Sequence, residues 1–296
     1  MKNQIVLFLK GLLMGTCDLI PGISGGTIAF ITGIYSKLIN SIKNISVKAF
    51  LDAVQYLKKR TPENKQKIEE DFKNIDFYFL INLGAGIITA FLLGSRIISF
   101  ILDNYFTYTI AFFSGLIVAS SKIIFDHINN HKTKNILFGV LGLFLGASFA
   151  LLIPVNVNPS YAYVFLGGFL GVSAMFLPGI SGAFVLLVLG LYEFMLKKVL
   201  RDIPGHLDYF IASVAGALLG MFFISRVISF LFDRDKCKTL YVLLGLVLGS
   251  LIVPAKRIYQ ETPVWNTETI ALLLLLFALG IISVIIVNKQ QAFKQE

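Results

Sequence analysis

Two short segments hold the residue types best suited to chemistry, PGISGG at 21–26 and PGISGA at 178–183. A proline suits the first turn of a helix, and glycines let the backbone bend or come close to a ligand. Free N–H groups and the positive dipole end of a helix start favour an anion such as phosphate, and each serine adds a hydroxyl donor. The candidate substrate-binding set is therefore Pro21, Gly22, Ser24, Gly25, Gly26 and Thr27 with Pro178, Gly179, Ser181 and Gly182. Arg96 and Arg226 join it. Each stands inside a hydrophobic run, where charge is costly unless it faces a cavity or partner, and a guanidinium offers a fork of donors to phosphate or carboxylate. Snorkelling to the nearby interface is the plainer use of both. Asp18, three residues before Pro21, and Glu193 are candidates for a coupling proton or sodium ion. The plain alternatives are helix capping by Asp18 and pairing of Glu193 with Lys197.

The first segment also fits the Gly-x-Ser-x-Gly of serine hydrolases, but a nucleophile needs a base. The histidines are His127 and His131, in a polar loop, and His206, at the edge of an apolar run, so none is expected at the depth of Ser24. The two cysteines, Cys17 and Cys237, are far apart and suggest neither a disulfide framework nor zinc ligands. No catalytic residue, resident cofactor or metal site is expected.

The elements that must position these residues belong in a membrane. Of 296 residues 56% are hydrophobic and 15% charged, and the mean hydropathy is +0.79, too apolar for a soluble domain of this length. Six runs approach the ~20 residues that cross a ~30 Å hydrocarbon layer as a helix: 78–102, 107–124, 136–155, 209–232, 240–254 and 269–287. Two longer apolar stretches, 5–42 and 162–196, are broken in the middle by Pro and Gly. The leader lacks a small-residue cleavage site and is expected to stay. The net charge of +9 comes from lysines in loops beside spans, which fits retention on the cytoplasmic face rather than nucleic-acid binding.

The chain is duplicated. A shift of 157 places Pro21–Gly25 on Pro178–Gly182 and Gly33 and Tyr35 on Gly190 and Tyr192; a shift of 130 places SRIISFIL (95–102) on SRVISFLF (225–232). The polar insertion at 43–76, expected in the cytoplasm, absorbs the change of shift. The halves are 1–157 and 158–296. The expected fold is an all-α polytopic membrane protein of two homologous halves, each with one Pro/Gly-broken helical hairpin plus three transmembrane helices. Counting Lys and Arg does not choose between broken segments that re-enter and ones that span. Re-entry leaves three crossings per half and hence an inverted pair, which we favour because interrupted helices in duplicated halves are typical of inverted-repeat transporters, with the site at the repeat interface.

On these residues alone the reading is a transporter of an anion or anionic lipid. The segments GLLMGTCDLIPGISGGTIAFITGIY (11–35) and SAMFLPGISGAFVLLVLGLY (173–192) resemble the bacterial polyprenyl-phosphate transporter family, over nearly the whole chain. Ala183 departs from it, standing where a serine is expected. The resemblance implies a multi-pass flippase of the bacterial plasma membrane. Its partner would be the lipid undecaprenyl phosphate, the carrier of cell-wall synthesis, returned from the outer to the inner leaflet. A secondary transporter of a small anion is the second reading, and an intramembrane hydrolase or lipid phosphatase the third.

Overall fold

The computed structural model describes residues 2–20, 23–152 and 157–292, and these are helical apart from turns and connections. In the first half the broken stretch becomes α1 (Lys2–Asp18), α2 (Gly25–Ile31) and α3 (Tyr35–Lys43), with a tight turn between the last two at Gly33 (φ 67°). The polar insertion folds as a helical hairpin, α4 (Val47–Lys58) and α5 (Pro62–Asn74). Both helices start on side-chain caps: Ser46 Oγ accepts from the Ala49 N–H and Thr61 Oγ1 from that of Asn64, with Pro62 in the first turn. Helix α6 (Phe77–Thr89) continues through a π-helical turn at Ala90–Gly94 into α7 (Ser95–Asp126), which is broken at Tyr105 (φ −135°, ψ 37°). Helix α8 (Thr133–Ser148) closes this half.

The second half repeats the order. It comprises α9 (Tyr161–Met175), α10 (Gly182–Val188), a turn at Gly190 (φ 66°), α11 (Tyr192–Phe194), α12 (Leu207–Arg234), α13 (Lys236–Ser250), α14 (Ile252–Glu261) and α15 (Thr267–Ala292). Asp235 is the non-helical residue between α12 and α13 and caps the latter, accepting from the Lys238 N–H. Tyr105 stands at the matching position of the first half.

Among the described residues five helical stretches are long and apolar enough to cross a bilayer. The sixth expected span is shorter than 136–155: α8 has 16 residues, about 24 Å of helix, followed by one 3-10 turn at Phe149–Leu151. Residues 153–156 lie outside the described part.

Helices surrounded by lipid gain little by hiding apolar surface from one another, so they associate where small residues let backbones approach. A Cβ on Gly11 would lie 2.1 Å from the Leu83 carbonyl oxygen, and one on Gly86 would lie 2.1 Å from that of Phe8. The shifts of 157 and 130 carry these contacts onto Gly168 against Ser213 and Gly216 against Phe165, both of which occur. Gly15 meets Ile87 four residues beyond the Gly11–Leu83 contact, so α1 and α6 run parallel; Phe165–Gly216 and Phe169–Gly220 make α9 and α12 parallel in the same way. The third span of each half crosses over to the other. Gly142 and Gly146 of α8 pack on Val242 and Leu246 of α13, again in parallel, while Gly280 of α15 packs on Phe112 of α7.

Candidate functional site

The two broken hairpins meet, and hydroxyls of the first hold the turn of the second. Helix α9 ends at Met175, leaving its last carbonyls without helical partners. Ser24 Oγ donates to the carbonyls of Leu177 (3.2 Å) and Met175 (3.4 Å), and the Tyr35 hydroxyl donates to Phe176 O (2.9 Å). In return the Gly179 N–H donates to Thr27 Oγ1 (3.0 Å), Gly179 itself adopting φ 89°. Gly26 permits the approach, since a Cβ there would lie 2.7 Å from Met175 O. Ser24, Thr27, Tyr35 and Ser181 are all buried.

Asp18 sits at the end of α1 and is buried at 6% exposure. Its Oδ1 accepts from the Gly25 N–H at 2.7 Å, so it caps the start of α2 in place of Ser24, which makes no cap bond. The second hairpin has no such acid: Met175 stands opposite Asp18, and Ser181 Oγ caps α10 by accepting from the Phe184 N–H (3.3 Å). The first helix start is thus already occupied by a carboxylate of the protein. Beside the second, the space lined by Gly179, Ile180, Ser181 and Phe184 is about 10 Å³, room for one water and not for a phosphate.

Of the expected residues, Ser24, Gly26, Thr27 and Gly179 make this contact; Gly25 sits against Asp18 in the first hairpin, and Ser181 and Gly182 pack within the second, on Phe184 and on Gly171 and Met175. Pro21 and Gly22 lie outside the described residues; Pro178 belongs to the turn that the first hairpin holds. Arg226 is elsewhere. Its guanidinium donates to Phe222 O (3.0 Å) and to Ile45 O (3.2 Å), at the root of the insertion, and not to either turn. The backbone of Arg96 is in α7, and its side chain lies outside the described part. Glu193 is exposed on α11. No histidine bonds to Ser24: His131 Nδ1 meets the Tyr241 hydroxyl and His127 Nδ1 the Ile123 carbonyl. Among the described residues no group of three His, Cys, Asp or Glu could hold a metal.

Two cavities adjoin the site. A cleft of about 300 Å³ between α9, α10 and α12 runs from Tyr192 to Asp18 and Leu19, floored by Gly167, Gly168, Gly171 and Gly182. Its lining is apolar apart from Asp18, Tyr192 and Ser213, and the exposed Phe91, Leu196, Leu200 and Val214 leave it open sideways. At the matching places in the first half Lys10 and Met14 stand where the second has Gly167 and Gly171, and Lys10 Nζ donates to Thr32 O (2.6 Å). Tyr192 also lines the second cavity, about 630 Å³, with Asp103, Tyr105, Tyr108, Arg257 and Glu261. The sequence reading missed Tyr35, Tyr192 and the α9 glycines as working parts, although Tyr35 and Tyr192 already matched across the repeat.

Residues 14–271 match the model of the undecaprenyl phosphate translocase-like family. A polyprenyl-phosphate transporter of Vibrio cholerae is 34% identical over 267 residues, covering 90% of this chain and 82% of the relative. A polyprenyl-phosphate transporter of Staphylococcus aureus is 28% identical over 282 residues, covering 90% and 91%. No solved structure gives a significant match. The doubled hairpins, the sideways-open cleft and this similarity along the chain lead to one conclusion: the protein belongs to the undecaprenyl phosphate translocase-like family.

Proposed function

We propose that this protein moves polyprenyl phosphate from the outer to the inner leaflet of the bacterial plasma membrane, without chemical change to the lipid. The observation that carries this reading is the cleft. Its apolar walls and sideways opening suit a hydrocarbon chain that stays in the membrane, and it ends at the one buried carboxylate beside the hairpin turns. A small anion would need a polar funnel closed to lipid.

The parallel pairs support re-entrant hairpins and inverted halves. If α6 runs alongside α1 in the same direction, both start on one face, and α2 and α3 must bring the chain back there. The Lys37–Asp76 ion pair (3.1 Å) fits that return. The same argument applies to α9 and α12, which leaves an odd number of crossings per half. The lysine-rich insertion then faces the cytoplasm.

The hairpins are held asymmetrically, which fits a carrier with alternate states. Tyr35 is bonded to Phe176 O; its counterpart Tyr192 would bond to Leu19 O, but a cleft lies between them. Exchanging these roles would close the present cleft and open one toward the cytoplasm. Asp18 is the coupling group in this scheme. Neutralised by a proton or sodium ion, it would release the Gly25 N–H to a phosphate oxygen; restored, it would expel the headgroup.

A flip assay in defined liposomes tests the function, comparing polyprenyl phosphate, its pyrophosphate and inorganic phosphate. Saturable flipping of the lipid monophosphate is expected. Uptake of inorganic phosphate without lipid movement would overturn the reading. For the topology, an outside-only thiol reagent should spare Cys237 in intact cells; its labelling there would refute the inverted arrangement.

A further inference from the structure

The larger cavity lies at the face opposite the lysine-rich insertion. Lys43, which leads into the insertion, bonds to Ser229 Oγ (2.8 Å) and pairs with Asp233 (3.3 Å) near the end of α12, so α13 starts at that face and α14 follows its far end. The break at Tyr105, after an unturned run from Phe77, reaches the same far side. Arg257 of α14 is half-buried there, its guanidinium 5.6 Å from the centre of the Phe106 ring. Among the described residues no carboxylate pairs with it, although Asp103 and Glu261 line the same cavity. An aromatic face fixes a guanidinium without using its N–H donors, which stay available in the plane.

We propose that this cavity is the docking site for a phosphate monoester headgroup, anchored by Arg257, before the lipid enters the cleft. The inference rests on the translocase reading and adds a site to it. Tyr192, on the wall of both cavities, is the threshold between them. A phosphate held by Arg257 therefore leaves its attached chain beside the apolar cleft, in one continuous amphipathic path. The exposed acids Asp103 and Glu261 have a second role. One arginine beside two carboxylates tolerates a monophosphate and disfavours the extra charge of a pyrophosphate. The matching position in the first half is His127, whose Nδ1 meets the Ile123 carbonyl, so this guanidinium has no counterpart there.

The full chain, purified in detergent, is tested first by equilibrium binding of a short-chain prenyl phosphate, a prenyl pyrophosphate and inorganic phosphate, and then by flipping in vesicles. Arg257→Ala should weaken prenyl phosphate binding about 10- to 100-fold, the loss of hydrogen bonds from a charged donor. In vesicles it should raise the half-saturating lipid concentration by a similar factor, while the rate at saturation stays within about twofold. Arg257→Lys should recover part of the affinity, and Glu261→Gln should improve pyrophosphate binding. Unchanged affinity in Arg257→Ala, or weaker pyrophosphate binding in Glu261→Gln, at normal yield, would overturn the site. Equal binding of inorganic phosphate and prenyl phosphate would assign it to a free anion. If the wild type bound the lipid at Arg257 but did not flip it, the docking site would stand and the translocase reading would fall.

Discussion

Loosening the contact between the hairpins should expose the centre of the protein by a measurable amount. The double variant Thr27→Val, Tyr35→Phe removes the acceptor of the Gly179 N–H and the donor to Phe176 O and leaves packing nearly unchanged. A hydrogen bond of this kind contributes about 0.5–1.5 kcal/mol net, and bonds between membrane helices average about 0.6 kcal/mol. Two of them amount to about 1–3 kcal/mol, a shift of about 5- to 150-fold between held and released hairpins. The valine variant also orphans a buried N–H, which favours the upper part of that range. Cys17 provides the readout: it is buried at 3% exposure, next to Asp18, and Cys237 can be replaced by serine. Maleimide labelling of Cys17 should speed up by that factor in the double variant and by less in each single one. A rate equal to the parent's, at normal levels in the membrane, would show that these bonds do not hold the closed state.

Asp18→Asn should abolish the response of flipping to an ion gradient while preserving lipid binding; reduced folded protein with gradient dependence intact would reduce Asp18 to the cap of α2. Arg226→Ala should slow release or reverse loading at the cytoplasmic leaflet by no more than about tenfold, because its group is exposed; wild-type transport would leave it as a strap to Ile45 O. In the insertion, burial and the nearby Asp52 push the Asp71 carboxyl above its usual range, with Lys48 opposing. A raised acid stabilises the fold fully below the ordinary carboxylate range, and that contribution is lost as pH rises through the raised value. Asp71→Asn should therefore increase protection of α4 and α5 amides from hydrogen exchange at neutral pH, with little difference in acid; equal protection at neutral pH would contradict this.

The sequence repeat rests on glycine and polar positions that keep their spacing, and the shifts that align PGISG and SRIISFIL also carry the contacts of Gly11 and Gly86 onto those of Gly168 and Gly216. The exchange of third spans was not legible, since Gly142, Gly146 and Gly280 sit in apolar runs where any helix face resembles any other. The helices of the insertion carried a readable sign, Ser46 and Thr61 as caps with Pro62 behind the second. At the hairpins the sequence showed which residues meet and not how they bond. Ser24 was expected to face a headgroup, but its hydroxyl is donated to the carbonyls that α9 leaves open. Such a pairing depends on two segments about 150 residues apart, and no local pattern contains it.

The exchanged third spans also bear on how the chain is made. The faces of α8 that carry Gly142 and Gly146 are covered by residues that emerge roughly a hundred positions later. At ribosomal rates of about 5–20 residues per second, the first half waits about 5–20 s in the bilayer with these glycine faces against lipid. It leaves the insertion machinery as a membrane-inserted but unfinished body, and a chain terminated before α13 has nothing to cover them. Assembly is thus a late event that joins the whole polypeptide, and two separately synthesised halves contain every surface needed to find each other.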